Sequence, residues 1–178
     1  MFQGFYVSGI NYQLGAGPTG YGAGNGLLTA VYVGYTPAVP DHDVTVANNT
    51  IKYTNSYPIV LDTGTYNDVV AGNTVIMPNE NFIVTGHNNT VQSNVVETVA
   101  SQGAYFFGIE ERSTSSFASD YNTFSNNQTV GCGYQNNQWI ITPLNNTGTT
   151  CSGCAPVIIV GGHSTGSGNT LIPRPSFP

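Results

Sequence analysis

The apolar residues of this chain come in short runs with the period of strands. His42 to Asn48 reads HDVTVAN and Thr50 to Thr54 reads TIKYT, both alternating. A period of two sends successive side chains to opposite faces of an extended strand. YPIVLD, TVIMP, NFIVTG, AYFFGI, QWIIT and PVIIV are β-branched or aromatic runs bounded by Gly, Pro, Asn or Asp. With GFYVSGINYQL and LLTAVYVGY near the start they make roughly ten strand candidates joined by turn-forming residues. One segment carries helix signals instead. In SNVVETVASQG, Asn94 is placed as an N-cap, Glu97 completes a capping box and Gly103 stands where a helix would stop.

At 178 residues the length fits one domain with a core of its own. An all-β chain of this size must close or cover its sheet edges. The expected fold is an antiparallel β-sandwich, jelly-roll-like, with extended N- and C-terminal segments. A solenoid is the competing architecture, because a small phrase recurs: NNTI at Asn48, GNTV at Gly72, NNTV at Asn88, NQTV at Asn127 and GNTL at Gly168. Solenoid coils recur at a nearly fixed period. The threonines of the phrase stand at 50, 74, 90, 129 and 170, without a fixed interval. The phrase therefore reads as a favoured turn leading into a strand. The chain divides into an N-terminal strand and Gly-rich connector (1–26), a sandwich domain (27–160) and a C-terminal tail (161–178).

Only 7% of residues are charged, against roughly 25% in ordinary soluble proteins. Asn, Thr, Ser, Gly and Tyr take their place. No stretch approaches the ~18 consecutive apolar residues of a spanning helix, so no membrane span is expected. Aromatic residues make up 11% of the chain, which argues against disorder. Lys52, Arg112 and Arg174 are the only basic side chains and the net charge is −6, which excludes a phosphate-binding patch and a nucleic-acid partner. A surface of hydroxyls and amides stays hydrated at any pH and suits an acidic extracellular medium. In composition the chain resembles surface proteins of hyperthermophilic or acidophilic archaea and their viruses. No residue pattern identifies a family.

Candidate sites are few. Cys132, Cys151 and Cys154 are disulfide candidates, the bridge expected from Cys132 to one of the other two. Asp41 and Asp43 flank His42 and share one side of an extended strand, where they offer hard oxygen ligands to a structural Ca²⁺; no other cofactor is expected. Glu110 and Glu111 precede Arg112 in GIEER, which reads as a solvated turn with a surface ion pair. Asn48, Asn88, Asn127 and Asn145 head glycosylation sequons. Trp139 is a possible sugar contact. Phe2, Phe5, Tyr6, Val7, Ile10 and Tyr12 form an aromatic assembly strand that a Gly-rich linker would let dock on a neighbour. No nucleophile elbow or placed carboxylate pair supports catalysis.

These features together point to a non-enzymatic, self-assembling structural protein on the outside of a particle, with copies of itself as partners, alongside other virion or filament subunits. A virion coat protein is the first reading, since the chain starts at Met1 without an export signal. A filament or pilus subunit polymerising by strand donation and a carbohydrate- or receptor-binding sandwich are the alternatives. Either way the protein is placed at a virion surface or outside a cell.

Overall fold

The computed structural model describes residues 1–8, 29–36, 39–52, 54, 57–76, 82–101, 108–114, 117–135, 138–140 and 157–173. These residues hold twenty strands and no helix. The first turn of the chain runs through β1 (Phe2–Gln3), β2 (Tyr6–Ser8) and β3 (Val31–Val33), followed by a small hairpin, β4 (Tyr35–Thr36) and β5 (Val39–Pro40). The second turn is β6 (Thr45–Ala47), β7 (Thr50–Lys52) and β8 (Ile59–Tyr66), and the third is β9 (Val69–Ala71), β10 (Thr74–Ile76) and β11 (Phe82–His87). The fourth is β12 (Thr90–Gln92), β13 (Val95–Ser101) and β14 (Ile109–Glu111). The fifth is β15 (Thr123–Ser125), β16 (Gln128–Gln135), β17 (Gln138–Ile140) and β18 (Val157–Ile158); β19 (Thr165–Ser167) and β20 (Thr170–Pro173) begin a sixth.

The first strand of every turn pairs with the first strand of the next, and so for the second and third strands. Sheet 1 has the order β1-β6-β9-β12-β15-β19, sheet 2 the order β2-β7-β10-β13-β16 with β17 and β20 beside β16, and sheet 3 the order β3-β8-β11-β14-β18. The pairings within these rows are parallel; only β16 with β17 and β4 with β5 are antiparallel. The described residues form a three-sided parallel β-solenoid.

This corrects the expected antiparallel sandwich or jelly roll. Alternation within a strand reports which face is buried, and it is the same whether the neighbour runs parallel or antiparallel. The helix signals at Asn94 and Glu97 are also overridden, while Gly103 lies outside the described residues. Val95, Val96 and Val99 are β-branched, and Val95–Ser101 forms β13 between β10 and β16. Residues 165–173, assigned to the tail, supply β19 and β20.

The core fills the inside of the triangle in columns. Val46, Val70, Val91 and Phe124 stack inside sheet 1, and Ile51, Val75 and Val96 inside sheet 2, each buried. Ile59, Phe82, Ile109 and Val157 do the same inside sheet 3. In β6, β7, β9 and β10 the flanking residues face outward, giving a half-buried, buried, half-buried pattern, whereas in β3 and β14 of sheet 3 the two flanking residues are the buried ones.

Two corners turn the chain through single residues at positive φ. Asn48, Gly72, Ser93, Asn126 and Gly168, with φ of 54–64°, open the corner between sheets 1 and 2. Asp43, Asn67, Asn88 and Tyr121, with φ of 56–59°, open the corner between sheets 3 and 1. Asn, Asp and Gly tolerate this left-handed region. At Gly72 a Cβ would lie 2.5 Å from Asn48 Oδ1, so close stacking of turns adds a second demand for glycine.

The residue after each of these carries a buried side-chain ladder. Asn49, Asn73, Asn94, Asn127 and Asn169 stack along the first corner. The backbone N–H and Nδ2 of Asn49 both donate to Asn73 Oδ1, at 3.0 and 2.9 Å. The same pair of bonds joins Asn73 to Asn94, Asn94 to Asn127 and Asn127 to Asn169. Each Nδ2 also donates to a carbonyl of the preceding turn: Asn73 to Val46 O, Asn94 to Val70 O, Asn127 to Val91 O. The sequence steps are 24, 21, 33 and 42 residues.

Candidate functional site

The corner between sheets 3 and 1 gathers the chemistry. Its ladder is Val44, Asp68, Asn89, Asn122 and Ser164, linked by backbone N–H bonds to the next side chain of 2.8–3.0 Å, with the same steps of 24, 21, 33 and 42. Just outside this ladder lie all three histidines of the chain, His42, His87 and His163.

His42, Tyr66 and His87 stand in register on consecutive turns. Their rings stack at centroid distances of 4.7 and 5.5 Å, and Phe117 continues the row at 5.9 Å from His87. His42 Nδ1 lies 2.6 Å from Asp43 Oδ2. A further pair stands beyond: the Tyr121 ring lies parallel to His163 at 4.5 Å. Asp120 fixes this pair, accepting the N–H groups of Tyr121 and His163 on Oδ1 and facing His163 Nδ1 at 2.7 Å with Oδ2. The His163 bonds hold the Asp120 carboxyl down at about 2.

Beneath that pair is a carboxylate inside the core. Glu111 follows Val33, Leu61 and Val84 in an inward column of sheet 3 and is fully buried. Ser164 Oγ at 2.6 Å, Asn122 Nδ2 at 2.7 Å and the Val160 and Gly161 N–H groups at 2.8 Å donate to it. Three of these four donors, Val160, Gly161 and Ser164, flank His163 in one turn, so Glu111 anchors the turn that carries that imidazole. A buried carboxylate needs such a full set of donors to be tolerated.

The sequence placed Glu110, Glu111 and Arg112 in one solvated turn. Glu110 and Arg112 pair at 2.7 Å as that reading has it, but Glu111 is interior. Strand alternation separates the two glutamates, and nothing local says which one faces in.

Asp41, His42 and Asp43 are exposed, and the left-handed φ of 57° at Asp43 breaks the alternation that would align the two carboxylates. Among the described residues no group of three or more His, Cys, Asp or Glu side chains is arranged to hold a metal ion. Cys132 lies in β16 beside Val99, while Cys151 and Cys154 lie outside the described residues. Asn48 and Asn88 are exposed at corners; Asn127 is buried with its Nδ2 donating to Val91 and Asn169; Asn145 lies outside the described residues. Trp139 is opposite Tyr134 in β17. Phe2 pairs with Val46, and Tyr6 and Val7 with Thr50 and Ile51, so their strands form the first turn of their own solenoid. Phe5 stacks on Phe2 at 4.4 Å. Ile10 and Tyr12 lie outside the described residues. Lys52 sits over the Tyr6 ring, and Arg174 lies outside the described residues.

Comparison with protein-family models, with curated proteins and with solved structures finds no match to this chain. No helix among the described residues is long and apolar enough to cross a membrane.

Proposed function

We propose that the protein is a non-enzymatic structural solenoid that assembles with copies of itself outside a cell or on the surface of a virion or filament. The outward face of sheet 1 carries this reading. Thr45 and Ala47, Val69 and Ala71, Thr90 and Gln92, Thr123 and Ser125, Thr165 and Ser167 line it on five successive turns. None of these side chains is charged in a protein with nine acids, and most are small. Rungs repeat about every 4.8 Å along such a sheet, and two flat faces of small residues pack at about 10 Å. A second solenoid presenting the same face meets it rung for rung.

Sedimentation and electron microscopy test this. Ordered oligomers or filaments are expected from the purified chain, and Thr123→Lys is expected to disperse them while leaving the circular dichroism of the sheet intact. A monomer at all concentrations would refute the reading.

The imidazole and aromatic row supports a second reading, a glycan-binding module. His42, Tyr66, His87 and Phe117 form a row of rings along the solenoid axis, with the Asp43 carboxylate beside His42, a row that a glycan polymer could follow. Retention of the protein on glycans, lost in His87→Ala, would favour it.

A further inference from the structure

The second ladder holds a buried acid and the first holds none. In the first corner the described ladder positions from Asn49 to Asn169 are all asparagine. In the second, Asp68 occupies a ladder position with 1% of its surface exposed. Its Oδ1 accepts the Val44 N–H at 2.8 Å, as a ladder asparagine would. Its Oδ2 is buried and has no hydrogen-bond partner. At the equivalent place Asn122 carries an amide nitrogen that donates to Gly86 O, three residues before the ladder residue of the preceding turn. The same offset from Val44 leads to the carbonyl of Asp41, which among the described residues accepts a long 3.3 Å bond from Tyr66 N–H and has a second lone pair.

We propose that Asp68 works as a protonated member of the ladder, its carboxylic O–H replacing the asparagine amide, and that its ionisation loosens the corner formed by Asp41 to Val44.

The surroundings favour the neutral acid. Burial pushes its pKa up to about 6, the Val44 N–H opposes this, and the Asp41 and Asp43 carboxylates push further upward while His42 pulls down. Two residues before it, at the end of β8, stands Tyr66, and on the following turn His87 is in register with Tyr66. An ionised Asp68 would put a negative charge against two carboxylates, with one donor and an empty lone-pair side, in a place closed to water. The neutral acid has a donor to offer on the side where the ladder offset puts the Asp41 carbonyl.

The sign follows from linkage. An unfolded aspartate titrates near 3.9, and the folded one near 6, so the native state holds the proton more tightly. The stabilisation is complete below the unfolded value and is lost as pH rises through about 6. An asparagine here would have made the corner indifferent to pH. The aspartate makes it an acid-set latch, and it fits the acidic medium that the uncharged surface suits.

Carboxyl carbon NMR of the wild-type protein tests the proposal directly. The Asp68 signal is expected to titrate with a midpoint near 6, and Asp43→Asn is expected to move that midpoint down by removing a neighbouring carboxylate. Amide exchange at Val44 should speed up across the same interval. In thermal unfolding, Asp68→Asn should match wild type in acid and exceed it at neutral pH. A midpoint at or below about 4, or an equal pH slope in wild type and Asp68→Asn, would overturn the proposal. So would stabilisation of the wild type by Ca²⁺ at neutral pH that Asp68→Asn abolishes, since a cation would then be the partner of Oδ2. If Asp68→Asn does not fold, the wild-type midpoint decides alone.

Discussion

Asn94 Nδ2 donates to Asn127 Oδ1 across 3.0 Å, although the two residues are 33 positions apart in the chain. The bond joins neighbouring turns at one corner, and four such steps run the length of the solenoid. A buried amide stacked this way satisfies its own groups and the backbone N–H groups of the corner together.

Asn94→Ala removes the two bonds from Nδ2, and also the Oδ1 that receives the N–H and Nδ2 of Asn73. Leaving these buried groups unpaired should cost about 2–4 kcal/mol. Chemical denaturation should show a lower midpoint with an unchanged slope.

Glu111→Gln keeps the shape and replaces one acceptor oxygen with an NH₂ among groups that themselves donate. A loss of about 2–4 kcal/mol is expected. The Val160 to Ser164 turn should lose amide-exchange protection before the rest of the molecule does.

Tyr121 stands at φ 57° in a column where the preceding turns carry Asp43, Asn67 and Asn88. A bulky residue in the left-handed region is strained. Tyr121→Asn should therefore be neutral or stabilising by up to about 1 kcal/mol despite the lost stack on His163. A fall in melting temperature of several degrees would show that the stack outweighs the strain.

Asp120 predicts the acid limit. Its folded pKa of about 2 lies below the unfolded value, so its pairing with His163 stabilises above that value and is lost as pH falls through about 2. His163→Ala should flatten the acid side of the melting profile. The loss carried by Asp68 has the opposite sign and acts on the other side, as pH rises through about 6. Melting curves across the acid range measure both slopes.

Strand positions and turn residues were readable from local pattern. Alternation at Thr45 to Ala47 and Thr50 to Lys52 reports a buried face, and Asn, Gly and Asp mark corners because few residues accept positive φ. The recurring phrase was legible too, but its meaning was hidden by its spacing. NNTI, GNTV, NQTV and GNTL lie at the first corner, whereas NNTV at Asn88 lies at the second, through Asn89. Mixing two corners scrambled the interval. The two corners share the same steps of 24, 21, 33 and 42 residues, which vary from turn to turn because the chain between sheets 2 and 1 varies in length.

The candidate site was less visible. PDHDVTV drew attention to Asp41, His42 and Asp43, but nothing beside Tyr66, His87 or Asp68 announces that they lie one turn away. Glu111 had no signal apart from being one of two adjacent acids. The sequence by itself determined that the chain is extended, where it turns and how little charge it carries, because those properties depend on residues a few positions apart. Only the tertiary structure decided that the strands run parallel, that asparagines stack and that three histidines share a corner. Those facts depend on hydrogen bonds between turns 21 to 42 residues apart, and no local pattern encodes which distant turn a strand will meet.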